Sequence, residues 1–142
     1  MGAPVTAFTR ISTEPIKTHC AVYSPDVVAV LDPTLLKAVN VADGLDEEGG
    51  NIIVNTKENP VEVRKKLKSS AGKVWTVGAS DISLKILGMS ITNTAMLGAV
   101  ARVTGIVSLE TIEKMISERF KADVAAKNFA VVKEAYQGVI SE

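Results

Sequence analysis

Cysteine and histidine are almost missing from this chain, which has one of each, Cys20 and His19. A cysteine-ligated iron–sulfur cluster takes four thiolates, and a structural zinc takes four ligands, mostly Cys and His. Alone, the chain can supply neither. One cysteine also excludes an internal disulfide, which fits a reducing, cytoplasmic setting. Aromatic residues are scarce at 4%, too few for base-stacking platforms. Net charge is missing as well: sixteen basic residues oppose sixteen acidic ones, so no field draws in nucleic acid or an anionic membrane. No apolar run approaches the ~18 residues of a membrane span, and Met1–Arg10 lacks the apolar stretch of a signal peptide.

What remains has the balance of a globular domain, 46% hydrophobic and 23% charged over 142 residues. Pro4–Ile11 alternates in character and reads as a strand. A turn at Ser12–Pro15 and a short strand at Ile16–Val22 suggest a hairpin. Asp26–Asp32 encloses a Val-rich run, the mark of a strand buried on both faces. Pro33 opens a helix. Gly49-Gly50 leads into a second buried strand at Asn51–Asn55. A helix follows from Pro60 to Lys68, with Val61, Val63 and Leu67 partly inward, and then a third strand at Lys73–Val77. Ser80 or Asp81 caps the next helix, Ile82–Leu87. This alternation predicts a parallel sheet with helices on its faces.

The last third reads as helical. Thr94–Thr104 is small and apolar, and Gly98 inside it marks close packing. Ser108 caps a helix whose Leu109, Ile112, Met115, Ile116 and Phe120 share a face. A final helix groups Phe129, Val132, Tyr136 and Ile140.

Few residues suggest chemistry. On a strand, His19 and Cys20 point to opposite faces, a poor arrangement for a nucleophile and its base. Asp46-Glu47-Glu48 reads as a solvated turn and Arg64-Lys65-Lys66 as a wet helix face. Two segments stand apart. Asn55-Thr56 follows an apolar strand, where parallel sheets bind ligands, although Asn55 could equally cap the next turn. Thr92-Asn93-Thr94 opens an apolar helix, where free N–H groups favour anions; capping alone would explain one of the three. Met96 reads as core.

Three blocks, Gly2–Ser12, Gly50–Thr56 and Thr92–Val107, together with the tail Ser108–Glu142, resemble the gamma subunit of 2-oxoacid:ferredoxin oxidoreductases, most of all the pyruvate enzymes, with the 2-oxoisovalerate enzymes close to them. The resemblance spans residues 1–142 as one domain. The pattern read above predicts a three-layer, Rossmann-like α/β domain with a mostly parallel sheet and a helical C-terminal third. The family's fold begins with a strand, a glycine-rich loop and a helix upstream of the Gly-Ala-Pro block, so the expectation is a domain without that first unit.

The implied reaction converts a 2-oxoacid and coenzyme A to acyl-CoA and carbon dioxide, with electrons passed to ferredoxin. Thiamine diphosphate, magnesium and iron–sulfur clusters belong to other subunits, and no cofactor is expected on this chain alone. The expected partners are the alpha, beta and delta subunits, with ferredoxin reached through the complex. An isolated chain is expected to form a homodimer or larger, or a marginally stable monomer, and to be inactive. The resemblance associates such a chain with coenzyme A binding. If that site is present, a strand end at Asn55-Thr56 and a helix start at Thr92-Asn93-Thr94 can face one crevice, which puts Asn93 and Thr94 in it, with Thr92, Asn55 and Thr56 beside them. A stand-alone coenzyme A or nucleotide-binding module, or a purely structural protein, are the alternatives.

Overall fold

Residues 3–142 are described by a computed structural model; Met1 and the Gly2 of the first block lie outside the described residues. Three parallel strands form the centre: β1 (Val27–Val30), β2 (Asn51–Asn55) and β3 (Lys73–Val77). They lie in sequence order. A fourth strand, β4 (Ile140–Ser141), pairs antiparallel with the outer side of β3. The sheet is thus mostly parallel, as the alternating pattern predicts.

Period-two alternation divides the sheet residues between two cores. Val30, Ile52, Val54 and Val74 face one side, where they meet Leu36 of α1 (Leu35–Ala38) and Val63 of α2 (Pro60–Lys66). Ile53 and Val77 face the other. There they pack against α3 (Ala79–Leu87), α4 (Thr92–Thr104) and α6 (Ala122–Gly138) through Ala79, Ala95, Met96, Ala99, Val131 and Ala135. That gives three layers. A third cluster seats α5 (Leu109–Arg119) on α4 and α6 through Ile112, Ile116, Ala101, Ala125 and Val132.

Buried on both faces, β2 has Ile52, Ile53 and Val54 with no exposed surface at all. β1 departs from that expectation. Its Ala29 is exposed and its Val27 and Val28 are half-buried, because it has a neighbour on only one side.

Residues 3–22 form no strand, contrary to the hairpin expectation. Val5, Phe8 and Ile11 are exposed, so the alternation has no core to face. A two-stranded hairpin without such a face is marginal in water. The two stretches are nevertheless side by side. Arg10 donates to the carbonyls of Cys20 and Ala21 at 2.6 and 2.9 Å.

Helix ends follow local chemistry. Pro33 does not itself begin the first helix. Asp32 accepts from the backbone N–H and hydroxyl of Thr34, and a single turn, α1, starts one residue later. Asn59 caps α2 by accepting from the Val61 N–H at 2.9 Å, with Pro60 at the first position. That helix stops at Lys66, and Val61 on it is exposed rather than inward. Ser108 caps α5 as expected, accepting from the Thr111 N–H. On α5, Met115 is exposed and Phe120 lies just past the last turn, so the buried stripe is narrower than the sequence face. Ile140 is not on the last helix: α6 ends at Gly138, and Ile140 pairs with Thr76 in β4.

Gly98 sits where α4 crosses α6. A Cβ there would stand 2.2 Å from the Val132 carbonyl oxygen, so only glycine allows this approach.

Candidate functional site

The chain leaves β2 towards α2 on one face of the sheet and leaves β3 towards α3 on the other. In parallel α/β sheets, ligands bind beyond the carboxyl ends of the strands. Asn55 ends β2 at that point. Its side chain is buried and fully engaged. Nδ2 donates to the Leu31 carbonyl and to Ser80 Oγ, both at 2.8 Å. Oδ1 accepts from the Ser80 N–H at 3.2 Å.

That last bond settles how α3 begins. The sequence points to Ser80 or Asp81 as the cap, but the capping position is Gly78 and Ser80 lies inside the first turn. Gly78 has no side chain to offer. Asn55 supplies the missing acceptor from a different element, and so joins the end of β1, the end of β2 and the start of α3. Sequence reasoning missed Ser80 and Leu31 as its partners, since they lie 25 and 24 residues away.

Thr56 is half-buried beside it. Its N–H donates to the Val77 carbonyl at 2.9 Å, and its hydroxyl accepts from the Glu58 N–H. Lys57 then reaches across to Asp81 at 2.8 Å, with both side chains largely in solvent. An exposed pair like this one contributes little stability.

The second candidate segment opens α4. Thr92, Asn93 and Thr94 form its first turn after Ile91, which occupies the cap position and gives no side-chain bond. Asn93 is exposed, and its Oδ1 accepts from the Thr94 N–H at 2.8 Å. Thr92 and Thr94 are half-buried. One residue behind them, the Ile91 carbonyl accepts from the buried hydroxyl of Ser83 at 2.5 Å, which ties the turn to α3. Met96 is core. Among the described residues no hydrogen bond links Asn55 or Thr56 to Thr92, Asn93 or Thr94. Each group is held separately, the first by Ser80 and the second by Ser83, both on α3.

The remaining candidates are quickly placed. Cys20 is exposed, with the Arg10 guanidinium 3.8 Å from its sulfur. Asp46, Glu47 and Glu48 form an exposed turn in which Asp46 accepts from the Gly49 N–H. Lys65 and Lys66 face solvent and pair with Glu62 and Glu58, but Arg64 is turned inward. No group of three or more His, Cys, Asp or Glu side chains converges among the described residues. With one thiol in the chain, these residues do not fit an iron–sulfur cluster. The bonds to Thr34, its hydroxyl first, hold the Asp32 carboxyl below the usual range.

Known proteins add a clear pattern. Residues 1–138 match the family of pyruvate ferredoxin/flavodoxin oxidoreductase. The pyruvate/ketoisovalerate oxidoreductases common subunit gamma of Pyrococcus furiosus is 52% identical over 136 residues, 96% of this chain and 73% of that protein. Pyruvate synthase subunit PorC of Methanocaldococcus jannaschii is 41% identical over 141 residues, 99% of this chain and 75% of that one. The crystal structure of pyruvate oxidoreductase subunit PORC from Thermotoga maritima superposes with a TM-score of 0.78 at 43% identity, covering 85% of this chain and 67% of that chain.

Proposed function

The chain belongs to the pyruvate ferredoxin/flavodoxin oxidoreductase family, and from that premise we propose that it serves as the gamma subunit of a pyruvate:ferredoxin oxidoreductase. The observation that carries this reading is the match along residues 1–138, which includes both candidate segments. In this role the chain joins alpha, beta and delta subunits and helps position coenzyme A. Thiamine diphosphate, magnesium and the clusters sit on those partners, and ferredoxin is reduced through the complex. Alone, the chain is inactive. Separated from its partners it self-associates, since Val5, Ile11 and Tyr23 are each more than two-thirds exposed and no net charge keeps copies apart.

A second reading rests on a name. The Pyrococcus furiosus relative is described as common to pyruvate and ketoisovalerate oxidoreductases. A gamma subunit of that shared kind also serves a 2-oxoisovalerate enzyme, and the choice of 2-oxoacid then lies with other subunits.

Within the chain, Asn93 and Thr94 contact coenzyme A, with Thr92 next to them. Exposed amide and hydroxyl groups suit the amides of a pantetheine arm, which need both donors and acceptors. Asn55 and Thr56 shape the neighbouring crevice, Asn55 through its hold on Ser80. The test is Asn93→Ala in the reconstituted complex. A binding role raises KM for coenzyme A, a loss of roughly 1–3 kcal/mol if a partner group is left unpaired, with thermal stability unchanged. A variant that melts earlier but keeps its coenzyme A dependence would show that Asn93 only braces the first turn of α4.

A further inference from the structure

Arg64 stands in the last turn of α2, and every one of its five N–H groups is used. Nη1 donates to the Ser69 and Ala71 carbonyls at 3.3 and 3.2 Å, and Nη2 donates to the Gly72 carbonyl. These three bonds hold the connection that leads into β3. The rest go to one carboxylate. Nε and Nη2 reach Glu142 Oε2 and Oε1 at 3.2 and 2.5 Å. Glu142 is tied to β3 as well. Oε1 accepts from the Val74 N–H at 2.9 Å, and the Glu142 N–H donates to the Val74 carbonyl at 3.2 Å.

The segment carrying this carboxylate has little else to hold it. β4 is two residues long, and its Ile140 is 53% exposed. Its apolar burial is therefore small, while the Arg64 and Glu142 side chains are about three-quarters buried. Apart from its few backbone bonds to β3, the fastening is the Arg64–Glu142 ion pair.

We propose that Ile140–Glu142 is a releasable strap, latched to β3 by the Arg64–Glu142 fork, that opens locally while the rest of the domain stays folded. Opening bares the outer edge of β3 at Trp75 and Thr76, which β4 otherwise covers. It also frees the end of α6, while Arg64 keeps its bonds to the Ser69, Ala71 and Gly72 carbonyls.

The latch has a defined pH direction. The charged groups facing the carboxylate are Arg64 from α2 and Lys73 from β3. The Arg64 bonds first, then the Val74 N–H and the charges of Arg64 and Lys73, hold the Glu142 carboxyl below its usual 4.5 against the opposing effect of burial. A depressed carboxyl stabilises the closed form above its unfolded pKa and loses that contribution as pH falls through the folded value. The strap is closed at neutral pH and opens in acid.

Amide hydrogen exchange by NMR reads this directly, because the Val74 and Glu142 N–H groups are latch bonds and the Ile53 N–H, in the buried strand, reports the body. Protection factors are compared for the unaltered chain, Glu142→Gln and Arg64→Lys. At neutral pH both variants lose protection at Val74 and Glu142, while Ile53 is unchanged. In the unaltered chain the same two amides lose protection as pH drops below the carboxylate range, and in Glu142→Gln that step is gone. Unchanged protection in both variants overturns the proposal, and so does a loss at Ile53 that parallels the loss at Val74. Should either variant fail to fold, the pH titration of the unaltered chain alone decides.

Discussion

Asn55 makes three hydrogen bonds from a site that is 6% exposed, and each reaches a different kind of group: a strand-end carbonyl, a hydroxyl and a helix N–H. Asn55→Ala leaves the Leu31 carbonyl and the Ser80 N–H without partners where water has poor access. The expected cost is roughly 1–3 kcal/mol in a denaturant titration. A loss below about 0.5 kcal/mol, the scale of an ordinary surface change, would mean that water replaces the side chain freely. Gly98 makes the complementary case for packing. In Gly98→Ala the new Cβ meets the Val132 backbone, which cannot rotate away, so α4 and α6 must separate. About 1–3 kcal/mol and a lower Tm are expected, whereas Gly138→Ala, with nothing within 4 Å, serves as the neutral control. Both positions were visible in the sequence, but not equally. A glycine inside a helical pattern signals close approach. An asparagine after a strand signals a ligand or a turn, and its actual partner, Ser80, is found only once the two loops are folded together.

At the scale of elements, the parallel strands and the long helices are legible because their signals are local: a Val-rich run for β1, an Ile-Ile-Val run for β2, and a cap followed by a periodic stripe for α5. Ser108 is the clearest instance. Ser108→Ala removes the acceptor for the Thr111 N–H and is expected to cost about 1 kcal/mol by thermal or chemical unfolding, whereas Ser108→Gly costs only a few tenths. Equal loss in the two variants would locate the effect in the backbone and not in the cap. β4 could not be read in this way. Two residues carry no periodicity, and Ile140 falls in phase with the stripe of α6, so the pattern puts it on the helix. The segment before β1 failed for another reason. Its alternation is present, but a strand needs a neighbour to bond and a face to bury, and Val5, Phe8 and Ile11 have neither.

Across the whole molecule, the parallel sheet divides two cores, and the third cluster adds α5 beyond them. The candidate segments are set on this frame by one helix, α3, which holds Asn55 through Ser80 and the start of α4 through Ser83. The sequence singles out these two segments, but not the difference between a buried brace at Asn55 and an exposed turn at Asn93, because burial is a property of the assembled layers. The chemistry of the family requires more than these residues offer, and the account therefore depends on partners. It is tested most directly by expressing the other subunits of the oxidoreductase with and without this chain and measuring pyruvate- and coenzyme A-dependent ferredoxin reduction. The account predicts that the chain co-elutes with those subunits and that reduction requires its presence. Full activity without the chain, or a chain that never co-elutes with the others, would contradict it.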